Sequence, residues 1–112
     1  MKIVVLKFGG TSVGTVDRVK KVANIIVGYV KKKYKVIVVS SAMSGVTNDL
    51  VKKSKKISNN FISSEYDALV SSGEQMSCAL IAGSYKKIIV IFFYFFDCVT
   101  TSFTTINTFF IY

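Results

Sequence analysis

Two short apolar runs rich in β-branched residues, set on either side of a helical repeat, constrain this chain more than any other feature. Residues 3–6 (Ile-Val-Val-Leu) run straight into Gly9-Gly10, which reads as a buried strand ending at a tight turn. Val16, Val19, Val22, Ala23, Ile26 and Val30 then recur at spacings of three and four, the signature of one apolar helical face. Thr15 suits the N-cap and Asp17 the first turn, where a carboxylate faces the positive end of the helix dipole. Residues 36–39 (Val-Ile-Val-Val) form the second apolar run, bounded by Ser40-Ser41. Leu50, Ser54 and Ile57 mark a shorter helix starting near Thr47 or Asn48, and Gly73 is expected to break the chain before a helix over 74–87. Strand, helix, strand, helix at these lengths implies a parallel crossover and an α/β sheet.

The chain has 112 residues, enough for one small domain or part of a larger one, and 51% of them are apolar, which excludes a disordered tail. Fifteen Lys and Arg against six Asp and Glu leave a formal charge of +9. The cations cluster at Lys20-Lys21, 31–35, 52–56 and Lys86-Lys87, positions that read as helix ends and solvent faces. Lysines in a last helical turn complement the dipole. No aromatic-interleaved RNA motif, zinc-finger spacing or basic zipper accompanies them, so no nucleic-acid partner is expected. Cys78 and Cys98 have neither CxxC spacing nor any histidine nearby, and isolated buried thiols are expected rather than a disulfide or a metal site. The opening apolar run is too short for a signal peptide, which points to a cytoplasmic protein.

Composition changes near residue 87. From 88 to 112 the only charged residue is Asp97, and seven of the nine phenylalanines fall there. Residues 88–96 form a continuous apolar run, too short to span a bilayer as a helix but suited to a buried strand. An unpaired remainder would be an aggregation hazard. The domain division expected is therefore 1–87 and 88–112.

Three loops carry candidate chemistry. The first, Lys7-Phe8-Gly9-Gly10-Thr11-Ser12-Val13-Gly14, joins a strand to a helix. Its glycines allow close backbone approach, successive N–H groups can point into one concavity, and Lys7 adds a cation at the strand's end. Together these suit a polyphosphate, although neither the Walker spacing nor the GxGxxG turn is present. The plain structural reading of Gly9-Gly10 is an ordinary βα turn. The second loop, residues 40–47, follows the second strand, where open α/β sheets bind ligands. Thr47 there suits either a ligand contact or a helix cap. The third, Ser71-Ser72-Gly73-Glu74-Gln75, sets Glu74 in an expected first helical turn, where it either serves the dipole or holds a substrate ammonium.

Taken together, these loops resemble those of the aspartokinases of the amino-acid kinase family. Val5-Leu6-Lys7-Phe8-Gly9-Gly10-Thr11-Ser12-Val13 is similar to their N-terminal motif throughout. Their Val-Ser-Ala-Met-Gly-Gly loop is matched by Val39-Ser40-Ser41-Ala42-Met43-Ser44-Gly45, with one extra serine and Ser44 for the first glycine. Their Ser-Thr-Gly-Glu-Gln motif appears as Ser71-Ser72-Gly73-Glu74-Gln75, preceded by Glu65-Tyr66-Asp67.

The resemblance implies part of a three-layer amino-acid kinase domain, with parallel strands, crossover helices and the C-terminal part missing. It implies an aspartate kinase, which forms 4-phospho-L-aspartate from ATP and L-aspartate on the route to lysine, threonine and methionine, with Mg²⁺ as cofactor. Lys7, Phe8, Gly9, Gly10, Thr11 and Ser12 would bind ATP, with Lys7 also catalytic by stabilising charge on the transferred group. Ser41, Thr47 and Glu74 would bind aspartate, Glu74 through the α-amino group. No protein residue is expected to ligate a metal, and intact members of the family are oligomers. The resemblance stops near Gly83, as an out-of-frame read followed by an early stop would give. A parallel sheet cut there leaves an unpaired edge unless the tail supplies a strand, and little activity is expected of such a fragment. The competing readings are an inactive fragment and a small basic membrane-associated protein.

Overall fold

The computed structural model describes residues 2–84, 90–95 and 106–111, the last two stretches as backbone strands. Strand β1 (Ile3–Phe8) leads through the glycine loop to helix α1 (Val16–Lys31), which returns the chain to β2 (Lys35–Ser40). The two strands are parallel and in register from Ile3 opposite Lys35 to Phe8 opposite Ser40, as a helical crossover requires. Thr15 caps α1, its hydroxyl accepting from the Arg18 N–H at 3.3 Å. Val19, Val22, Ala23 and Ile26 are buried as their spacing predicts, whereas Val16 is 59% exposed because it lies in the first turn, beyond the packed face.

Helix α2 (Val46–Ile57) starts after Gly45, whose φ of 86° puts it in the left-handed region that glycine tolerates. Gly45 is thus the N-cap and Thr47 is not, which corrects the capping alternative for that residue. Of the expected α2 face, Ser54 is buried, but Ile57 is 77% exposed at the helix end.

Helix α3 (Ser63–Gly83) departs further from expectation, since it runs unbroken through Gly73. A Cβ at Gly73 would stand 2.9 Å from Val46 Cγ1 and 3.2 Å from Leu50 Cδ1. The glycine is therefore a point of close approach to α2, and packing there outweighs a helix-propensity cost of about 1 kcal/mol. Glu74 consequently lies in the middle of a helix, and the dipole account of its presence falls away.

The core is built from Val13, Val19, Val22, Ile26, Val36, Val38, Cys78 and Ile81, with Val4, Leu6 and Phe8 packed against it. Helices α1 and α3 thus cover the sheet face that carries Val36 and Val38. In the tail, β3 (Val90–Phe95) and β4 (Ile106–Ile111) form an antiparallel pair, and β4 also pairs antiparallel with β2, from Val36 opposite Ile111 to Ser40 opposite Asn107. The sheet order is β1-β2-β4-β3. The tail therefore closes the edge of β2 that was expected to stand open. The 87/88 division, Cys98, Lys86 and Lys87 lie outside the described residues.

Candidate active site

The first two loops and the middle of α3 meet around Ala42, beyond the carboxyl ends of β1 and β2. Parallel pairing alone brings Phe8 beside Ser40, and the ladder continues past the strands with the Ser41 N–H donating to the Phe8 carbonyl at 3.1 Å. Beyond it the first two loops nearly touch. A Cβ on Gly10 would sit 2.9 Å from the Ala42 carbonyl oxygen, so only glycine fits at this seam.

Within the first loop the N–H groups of Ser12 and Val13 donate to the Gly9 carbonyl, at 2.9 and 3.3 Å, and that of Gly14 to the Thr11 carbonyl at 3.3 Å. Those of Gly9, Gly10 and Thr11 take no part in the turn's hydrogen bonding among the described residues. Lys7 is exposed, and its ammonium folds forward to 3.8 Å from where a Gly9 Cβ would stand, with no other atom within 4 Å of that position. Three amide donors and one cation therefore remain at the strand tip, a combination suited to anionic oxygens. From behind, Arg18 Nη1 clamps the loop by donating to the Thr11 carbonyl at 2.6 Å.

Two residues of the first loop point elsewhere. Phe8 and Ser12 line an open groove of about 340 Å³ with Arg18, Lys21, Val22 and Ile25, on the α1 side of the loop. The Phe8 side chain packs on the core, and its carbonyl is occupied by Ser41.

The close contact of Val46 with Gly73 sets the first turn of α2, which carries Thr47, against the middle of α3, which carries Glu74. Glu74 is half-buried on α3 and Thr47 is exposed in the first turn of α2. Ser41 connects to the same helix, because the buried Ser77 hydroxyl lies 2.6 Å from the Ser41 carbonyl and 2.9 Å from that of Glu74. Ser40 Oγ is 3.4 Å from Ser77 Oγ and donates to the Ser41 carbonyl at 3.2 Å. Lys7 lies on the face of β1 opposite the helices, and Glu74 lies in the helical layer. Sequence reasoning gave no role to Ser77 or Arg18 and none to Ser40 beyond its place in the second loop; the one available signal was a serine three residues after Glu74.

The nearest titratable group to Glu74 with a displaced pKa is Cys78, one helical turn on. Burial pushes its thiol up to about 12, the Glu74 charge adds to that, and a hydrogen bond with Ser77 opposes it. Cys78 is therefore a neutral core thiol at physiological pH rather than a nucleophile. No group of three or more His, Cys, Asp or Glu able to hold a metal ion occurs among the described residues, and none of their helices is long and apolar enough to cross a membrane.

Comparison with known proteins places the chain in a family. The amino acid kinase family profile matches residues 2–90. An aspartokinase of Geobacillus stearothermophilus is 50% identical over 84 residues, covering 75% of this chain and 21% of that protein. One from Rickettsia felis is 49% identical over 85 residues, 73% of this chain and 21% of its own. The crystal structure of aspartate kinase from Synechocystis superposes with a TM-score of 0.70 at 45% identity, over 73% of this chain and 14% of that one. This chain thus spans about a fifth of the length of the curated relatives it matches. With its parallel β1-α1-β2 unit and its glycine loop at the strand tip, the chain belongs to the amino acid kinase family and carries part of that family's domain.

Proposed function

We propose that this chain carries the phosphate loop and the aspartate-binding loops of an aspartate kinase, the enzyme that makes 4-phospho-L-aspartate and ADP from L-aspartate and ATP. The observation that supports this most is that the 40–47 loop is tied to both other segments: the Ser41 N–H donates to Phe8 of the glycine loop, and Ser77 on α3, three residues after Glu74, donates to the Ser41 carbonyl. Lys7 and the free amides of Gly9, Gly10 and Thr11 receive the phosphates, while Ser12 and Phe8 shape the loop. Glu74 takes the substrate's α-ammonium, and Thr47 and Ser41 orient its carboxylates.

In the reaction an oxygen of the β-carboxylate attacks the γ-phosphorus, the bond to the β,γ-bridging oxygen breaks, and ADP leaves with the electron pair. The attacking carboxylate is ionised at neutral pH, so no general base is required. Catalysis then rests on positioning and on charge neutralisation at the transferred group, the part given to Lys7. Mg²⁺, the usual companion of ATP, would neutralise phosphate charge when bound with the nucleotide. A cytoplasmic location and a place in amino-acid biosynthesis accompany this reading. A division at 87/88 belongs to this reading as well, a few residues before the family match ends at residue 90.

Calorimetric titration of residues 1–112 with L-aspartate and, separately, with ATP tests the assignment. Glu74→Gln should abolish aspartate binding and spare ATP, and Lys7→Ala should do the reverse. Aspartate binding that is indifferent to Glu74 would remove the reading. Formation of aspartyl hydroxamate in the presence of ATP, Mg²⁺ and hydroxylamine would extend it to the complete reaction.

A further inference from the structure

Ser77 is fully buried on α3, yet it bonds outside its own helix. A serine hydroxyl in a helix ordinarily returns its one proton to a carbonyl three or four residues back. Ser54, Ser71, Ser72 and Ser84 all do so, as their bonds to Val51, Ala68, Leu69 and Leu80 show. For Ser77 the helical acceptor, the Glu74 carbonyl, is the longer contact at 2.9 Å, and the Ser41 carbonyl is the shorter at 2.6 Å. The Ser40 hydroxyl also donates to that carbonyl, which is thereby held from two sides.

The Ser41 peptide is consequently pinned at both ends. Its N–H is fixed to Phe8 at the phosphate loop, and its C=O to the helical turn that begins at Glu74. We infer that Ser77 is a positioning residue: its hydroxyl sets the 41–46 loop against the turn of α3 that carries Glu74, so that both face one substrate. The consequence for aspartate rests on the proposed function, whereas the effect on the loop does not.

Amide hydrogen exchange on the full chain reads the loop directly, at the Ser41 and Val46 amides bonded to Phe8 and Met43. Losing one buried hydrogen bond should speed exchange at these two amides about tenfold in Ser77→Ala, with the α1 amides unchanged, and should weaken L-aspartate binding about tenfold. Ser77→Thr, which keeps the hydroxyl, should restore both even if the added methyl lowers overall stability. Ser54→Ala is the control for a buried hydroxyl bonded only within its helix, and should leave both readings alone. If Ser77→Ala does not fold, Ser40→Ala removes the second donor and should shift the same two amides by a smaller factor. Unchanged loop exchange in the serine variants, equal acceleration of every amide, or failure of threonine to rescue would each overturn the inference. If Glu74→Gln leaves aspartate affinity intact, the aspartate reading fails instead, and the exchange rates still decide the role of Ser77.

Discussion

The two faces of the β1–β2 pair carry much the same kind of residue and have opposite fates. On one, Val36, Val38 and Ser40 are buried and Val4, Leu6 and Phe8 pack against the core beneath α1 and α3. On the other, Ile3 and Val5 are 64% and 60% exposed, and Lys7 shares their face. Strands apolar on both faces are the pattern of a parallel sheet made to be covered twice; the described residues supply helices to one face. Hydrophobicity therefore reports which residues can be buried, and the placement of helices reports which ones are. The candidate residues follow the same division, with Lys7 on the bare face and Glu74 on the helix that covers the other.

Substitution can break this comparison, and the largest effect should come from the covered face. Ile26→Ala, at a fully buried position, should cost about 2–5 kcal/mol in urea unfolding through lost transfer energy and the cavity left behind. At the seam above both faces, Gly10→Ala forces a Cβ to within 2.9 Å of the Ala42 carbonyl. Because that neighbour is backbone, about 1–3 kcal/mol is expected, together with weaker ATP binding by calorimetry.

A pH titration probes how dry the covered face is. Cys78 has a folded pKa of about 12 against an ordinary 9.0. Below pH 9 both states keep the proton and nothing changes. Between 9 and 12 the unfolded thiol loses its proton while the folded one holds it, so stability falls as pH rises. From pH 9 to 10 the native chain should lose about 1 kcal/mol more than Cys78→Ala, measured as the difference between their urea midpoints. The smallest effect belongs to the bare face. Val5→Thr should change stability by less than about 0.5 kcal/mol, and a loss as large as that of Ile26→Ala would mean that the outer face is covered in solution.

Much of the fold was legible in the residues because it is local. β1, α1 with its Thr15 cap, and β2 appear where period and punctuation predict them. The lysines of the last turns, Lys31 in α1 and Lys55 and Lys56 in α2, also sit where the dipole favours them. Legibility failed wherever a distant neighbour decided. Gly73 was expected to break the chain ahead of a helix, and instead it lies within α3 and admits Val46 and Leu50 to its flank. Thr47 offered itself as a cap, yet Gly45 took that place by adopting positive φ. The tail suggested a strand in its first half, but nothing local foretold that residues 106–111 would pair with β2.

The candidate site divides in the same way. Lys7, Gly9, Gly10 and Glu74 could be picked out as residue types suited to anions and ammonium groups, since that chemistry belongs to each side chain and its immediate neighbours. How the 40–47 loop is tied to the helix that carries Glu74 depended on Ser41 and Ser77, 36 positions apart, and on a buried hydroxyl bond between them. By itself, then, the sequence determined the strand and helix periods, the glycine turn and the chemistry each residue can perform, all set by neighbours within a turn or two. Only the tertiary structure decided which sheet face is covered, where α3 begins and which loops meet, because those outcomes depend on packing between segments that no local pattern encodes.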